Sequence, residues 1–274
     1  MRRIAIALAA LAFSSPTLGQ RVIEETLVIN DPTVASPRNW IVGAAGEIWY
    51  VSGNQVQYDN NNNKTGEGNI NFSQPGGSIW VGYGDFTVLL AARSGKGDQT
   101  LTYEPGVVST QSITTTSEIR QKDTEIILRW LARPISARWV MPYVVVGYTQ
   151  TKLDQDETRT DMPWPVINTR TRHFRYTYTG PLLGIGGIFP FNEMFGARGD
   201  LRVKFYNAEV TSEYGNKSGS GAGADIIVTG YMNFWRGFNL QAGIKASSLN
   251  GGDEVGSSLT RSGVFGMLGY TARF

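Results

Sequence analysis

Ala197-Arg198-Gly199-Asp200-Leu201-Arg202-Val203-Lys204-Phe205-Tyr206-Asn207 alternates residue by residue. One parity carries Ala197, Gly199, Leu201, Val203 and Phe205, and the other carries Arg198, Asp200, Arg202, Lys204 and Tyr206. Successive side chains of a strand point to opposite faces, so this strand has one apolar face and one strongly charged face. Phe238 to Ala246 repeats the pattern, with Phe238, Leu240, Ala242, Ile244 and Ala246 against Asn239, Gln241, Gly243 and Lys245. Ala224 to Phe234 does so again. A soluble sandwich also alternates, so the choice between sandwich and membrane barrel rests on strand length, loops and aromatics.

Working outward, about ten such segments follow from Trp40, near 40–58, 70–83, 86–104, 113–133, 138–153, 170–189, 196–213, 221–235, 238–249 and 258–274. Most exceed the usual strand of about 5–6 residues and reach the roughly 9–11 that cross a bilayer at a tilt. Short links at Gly84-Asp85, Arg133 to Ala137, Pro190 to Phe195 and Arg236-Gly237 alternate with longer polar ones. The longer links are Asp59 to Asn69, Pro105 to Ser112, Asp154 to Thr169, Tyr214 to Ser220 and Asn250 to Ser257. Short periplasmic turns and longer outer loops are the transmembrane barrel arrangement, and they require an even strand count. Aromatics bracket every short turn: Tyr83 and Phe86, Trp130 and Trp139, Phe189 and Phe195, Phe234, Trp235 and Phe238. They read as an interfacial girdle. A looser second set lies toward the long loops: Tyr50, Tyr58, Tyr103, Tyr148, Phe174, Tyr176 and Tyr178.

The N-terminus reads as an export signal. Arg2 and Arg3 precede an apolar run from Ile4 to Phe13, and small residues follow, with cleavage expected after Gly19. The run is too short to span a bilayer as a helix. The domain reading is therefore a signal peptide at 1–19, a short lead-in at 20–39 and a barrel at 40–274. Removing Arg2 and Arg3 lowers Lys plus Arg from 25 to 23, against 23 Asp plus Glu. A neutral mature chain lacks the basic excess that nucleic acid requires. With no Cys and a single His, thiolate chemistry and clustered Cys or His metal sites are excluded. The Asp- and Asn-rich stretches at Asp59 to Asn63 and Asp154 to Asp161 lack the spaced calcium-loop pattern and read as solvated loops. No cofactor is expected.

The chain ends Val264-Phe265-Gly266-Met267-Leu268-Gly269-Tyr270-Thr271-Ala272-Arg273-Phe274. A terminal Phe274 with in-phase Tyr270, Leu268 and Val264 resembles the C-terminal signature of bacterial outer-membrane β-barrel proteins, the porin-like superfamily. That resemblance implies insertion by the barrel-assembly machinery and residence in the outer membrane of a Gram-negative cell. The expected fold is all-β, a transmembrane antiparallel up-and-down barrel of about ten strands, with eight or twelve as alternatives.

If apolar residues face lipid, the opposite parity lines the lumen. That set is Glu47, Arg93, Glu125, Arg129, Arg198, Asp200, Arg202, Lys204, Asp225, Lys245 and Arg273. Two readings stay open. In one the charges pair and fill the lumen, leaving a structural or surface-interaction role. In the other a basic surplus leaves a small porin-like channel with weak anion preference. A barrel of about ten strands is nearer the filled end.

On the outer wall, Arg120 and Lys122 of the fourth segment, and Arg172 of the sixth, are expected to face outward above the apolar band. Lys152 joins them if even positions of the fifth segment face outward. These four are the candidate contacts for lipopolysaccharide phosphates, alongside the outer-membrane lipid itself. His173 stands beside the acidic stretch holding Asp154, Asp156, Glu157 and Asp161. This is similar to the omptin proteases, which pair Asp with His at the rim of a ten-stranded barrel. That family's second acidic pair has no counterpart identified here, so a His173 hydrolase is the third reading and no catalytic residue is assigned.

Overall fold

The computed structural model describes residues 30–36, 38–59, 63–103, 113–136, 139–161, 168–213 and 215–274. The expected signal peptide lies outside them. Ten antiparallel strands close into one up-and-down barrel. They are β1 (Trp40–Tyr58), β2 (Lys64–Tyr83), β3 (Phe86–Tyr103), β4 (Ile113–Leu131), β5 (Met141–Asp161), β6 (Asn168–Pro190), β7 (Phe195–Ser212), β8 (Gly215–Asn233), β9 (Phe238–Asn250) and β10 (Ser257–Arg273). A 3-10 turn (Arg133–Ile135) follows β4, and a short helix α1 (Gly252–Val255) links β9 to β10. β1 and β10 seal the barrel, in register from Ile41↔Arg273 to Gln57↔Ser257. Closure removes both sheet edges, which a lipid-exposed sheet requires. The tight β2–β3 link is made at Gly84, whose φ of +57° suits a residue without Cβ.

Several strands are longer than expected. β2 begins at Lys64, β5 runs to Asp161, β6 begins at Asn168 and β8 begins at Gly215. Much of what reads as outer loop is strand, and Asp154 and Asp156 stand on β5. The β7–β8 link shrinks to two residues. With strands of up to 23 residues against roughly 9–11 for a crossing, the barrel projects well beyond a bilayer at its long-loop end.

The polarity of the wall inverts along the way. Low on β4, Ile126 and Leu128 face outward while Glu125 and Arg129 are buried inside. Higher on the same strand Glu118, Arg120 and Lys122 face outward and Ile119 is buried inside. β6 repeats this, with Leu183 and Ile185 outward low down and Tyr176 and Tyr178 inward above. In lipid the apolar face must turn out. In water it must turn in.

Trp40, Tyr83, Phe86, Trp139, Phe195, Trp235 and Phe274 are exposed around the short-turn end and form the girdle there. The second set divides. Tyr50, Tyr58 and Tyr148 are exposed, but Tyr176 and Tyr178 are buried in the interior, and Tyr103 and Phe174 share their inward parity.

The boundary is open to direct test. Ile185 is 61% exposed within the apolar band. Ile185→Arg is expected to cost about 2–4 kcal/mol in urea-titrated refolding into lipid. Thr116→Arg, outward on β4 but above the band, is expected to stay within about 0.5 kcal/mol of wild type. Equal penalties at the two sites contradict this placement of the membrane.

Candidate functional site: a closed interior and a basic outer wall

Residues 30–36 of the lead-in fold back into the barrel from the short-turn end as a plug. Tyr231 donates its hydroxyl to Asn30 Oδ1 at 2.6 Å. Trp80 Nε1 and the Thr271 hydroxyl both donate to the Pro32 carbonyl at 3.0 Å. The Thr87 hydroxyl donates to the Thr33 carbonyl at 2.9 Å. Arg273 donates to the Val34 and Asp31 carbonyls at 3.0 and 3.1 Å. Asp31 is fully buried and takes the Arg198 guanidinium at 2.9 Å. Val34 packs with Leu131, Met141, Tyr143, Leu182, Ile188 and Tyr231, and Ala35 packs with Ile41, Ala45 and Trp80. These contacts make an apolar floor.

Above the floor lies a layer of charge. Glu125 accepts Lys245 at 3.2 Å and Arg202 at 3.4 Å, with Arg93 at 3.7 Å. Arg93 also pairs with Glu47. Arg202 reaches Asp200 at 3.3 Å, and Lys204 pairs with Asp225 at 2.8 Å. Asp123 takes Arg261 at 3.1 Å, with Gln74, Gln121 and Thr151 donating at 3.0, 2.8 and 2.7 Å. Lys245 and Arg261 lie over the Trp49 ring at 5.0 and 5.4 Å. An internal cavity of about 70 Å³ remains among these groups.

All eleven lumen candidates stand on the inward parity, Arg273 at the mouth. The sequence reading passed over Asp31, Asp123 and Arg261. Asp123 and Arg261 carry the right signal, since they share parity with Glu125 and Arg273. Asp31 carries none, because nothing local marks the lead-in as interior.

Toward the long-loop end the interior gains an apolar cluster, interleaved with the buried amides Gln55, Gln99, Gln121 and Gln155. Val51, Ile70, Phe72, Ile119, Leu153, Tyr176, Tyr178, Tyr206, Leu249 and Leu259 form one buried cluster with Trp49 and α1 residue Val255. Its members come from opposite walls, so it spans the lumen as a roof.

On the outer wall Arg120, Lys122 and Lys152 face outward. Arg172 does not. It lies on the inward parity of β6, opposite buried Glu157, because the Phe174, Tyr176 and Tyr178 face turns inward above the membrane. Arg175 stands on the outward parity instead and pairs with Asp154 at 2.5 Å. Arg120 pairs with Glu118 at 3.0 Å. Lys122 and Lys152 sit directly opposite each other across β4–β5, and neither forms an ion pair among the described residues. They flank an outer groove of about 600 Å³ that also takes in Tyr148, Arg175, Thr177 and Glu209.

His173 Nδ1 lies 2.5 Å from Asp156 on this same outer wall. The interior at that level holds Phe174, Tyr176 and Val210 with buried Gln155 and Glu157, and the pair stands on the opposite, outward parity. Val264, Leu268, Tyr270 and Phe274 all point outward, with Tyr270 against Phe238 at 5.1 Å.

The fold is that of the bacterial outer-membrane β-barrels. The outer-membrane protease OmpT from Escherichia coli superposes with a TM-score of 0.60 at 8% identity, over 87% of this chain and 98% of that one. The transport unit of the autotransporter AIDA-I from Escherichia coli gives a TM-score of 0.38 at 10% identity, over 92% and 95%. The outer-membrane protein OprG from Pseudomonas aeruginosa gives 0.36 at 10% identity, over 88% and 98%. No protein-family model and no curated protein matches the sequence.

Proposed function

We propose that this chain is a non-conducting barrel of the bacterial outer membrane, with a filled interior and a function borne by its outer surface. One observation carries the reading: the charged layer is enclosed between the plugged floor and a packed roof of apolar side chains and buried amides. An ion crossing that path must shed its water at two closely packed layers rich in apolar side chains, and hydrophobic constriction blocks conduction. The export signal, the exposed apolar band and the C-terminal signature support residence in the outer membrane. The narrow anion channel is the competing outcome. Liposomes carrying the refolded protein are expected to swell in small sugars no faster than empty ones. Swelling at porin-like rates overturns the proposal.

A second observation favours a lipid contact on the outside. Two lysines of like charge face each other without a carboxylate between them, beside a groove and above a band that includes Ile126 and Val146. Like charges directly opposite are destabilising, and an anionic phosphate between them relieves the repulsion. Lys122 and Lys152, with Arg175 in place of Arg172, are the proposed contacts for lipopolysaccharide phosphate. Lys122→Gln/Lys152→Gln is expected to lower lipopolysaccharide retained through purification several-fold without changing refolding yield. Unchanged retention contradicts the contact.

A further inference from the structure

Among the described residues, the charges enclosed in the barrel do not balance. Around the cavity stand five cations, Arg93, Arg129, Arg198, Arg202 and Lys245. Four carboxylates answer them: Glu47, Glu125 and Asp200 on the cavity wall, and Asp31 on the plug. The adjoining pairs Lys204–Asp225 and Arg261–Asp123 are each neutral within themselves. The cation in surplus is Arg129. It donates to the Thr33 hydroxyl at 2.6 Å and lies over the Tyr143 ring at 4.7 Å. No carboxylate pairs with it among the described residues.

Arg129, Arg198 and Arg202 are only 4%, 7% and 6% exposed, and all three line the cavity. The Nε of each donates no hydrogen bond, and that of Arg198 lies 3.9 Å from Asp200. A guanidinium cannot shed its proton in a protein. An uncompensated charge enclosed in low dielectric is costly, and a water molecule satisfies a donor without neutralising it. From this geometry we propose that the cavity holds one small monovalent inorganic anion, a halide such as chloride, against Arg129, Arg198 and Arg202. A cavity of about 70 Å³ takes a halide with a water or two and is too small for a bulky organic anion. A second negative charge would replace a surplus of one sign by a surplus of the other, which selects a monovalent ion.

The site lies directly above the plug, and two of its arginines also hold the plug, Arg198 through Asp31 and Arg129 through Thr33. The anion is therefore taken up during folding and leaves only when the plug does.

The test refolds the mature chain in sodium bromide and locates bromide by anomalous diffraction. One buried peak touching at least two of the three guanidinium groups is expected. Arg129→Met, which removes the surplus charge, is expected to fold and to lose that peak. A wild-type cavity holding water alone overturns the proposal. So does bromide confined to surface lysines, or a buried peak unchanged in Arg129→Met. Should Arg129→Met not fold, wild-type unfolding in chloride is compared with gluconate at equal ionic strength. A higher midpoint in chloride that rises with its concentration is expected, and identical midpoints overturn the site.

Discussion

Replacing Asp31 with Ala releases the N-terminal segment from the barrel floor. Asp31 is wholly buried and is the carboxylate nearest Arg198. Its loss leaves that guanidinium enclosed without its main partner, a change that costs about 3–5 kcal/mol. The urea midpoint should fall accordingly, and residues 30–36 should become open to protease. Arg198→Met in the same chain should recover much of the loss, because replacing both partners by apolar groups is often neutral. An unchanged midpoint contradicts the plug.

Acid should act in the same direction. Burial pushes the Asp31 carboxyl up, but Arg198, Arg129 and the Thr33 hydrogen bonds outweigh it, and the net value lies below the ordinary carboxylate range. A folded pKa below the unfolded one gives stability that is complete above the ordinary range and is lost as pH falls through the folded value. Asp31→Ala should lack that part of the acid dependence.

Glu125→Gln should be the most damaging single change in the charged layer. One carboxylate serves Lys245, Arg202 and Arg93 at 3.2, 3.4 and 3.7 Å. Gln keeps the shape and removes the charge, leaving Lys245 without its paired carboxylate and Arg93 and Arg202 with one each, Glu47 and Asp200. The expected loss is about 5 kcal/mol, the upper end for breaking a buried pair, read as a lower urea midpoint or as loss of the heat-modifiable band. Glu125→Gln with Lys245→Met should regain part of it. A Gln variant that refolds with the wild-type midpoint would show that the layer does not stabilise the barrel.

The strand alternation from Trp40 onward carries most of the fold. Arg198, Asp200, Arg202 and Lys204 are read inward from one strand's parity, and that is where they stand. Arg172 is misread for a physical reason. Phe174, Tyr176 and Tyr178 are apolar, and inside a bilayer an apolar face looks outward. Above the bilayer the same face turns inward and takes Arg172 with it. The early starts of β2 and β8 are hidden similarly. Gly66, Gly68 and the run from Gly215 to Gly223 offer no hydropathy contrast, yet their backbones pair in register with β3 and β7. The plug was not legible at all. Asn30 to Ser36 has no period, and its position depends on partners such as Trp80 and Arg198, 48 and 167 residues away.

Single-channel recording in a planar bilayer tests the closed interior most directly, using wild type and a variant lacking residues 30–36. Both should insert, shown by heat-modifiable mobility, and both should be silent, because the roof stays in place when the plug is gone. Stable stepwise openings in wild type would contradict the account, and openings confined to the shortened variant would show that the plug alone closes the barrel.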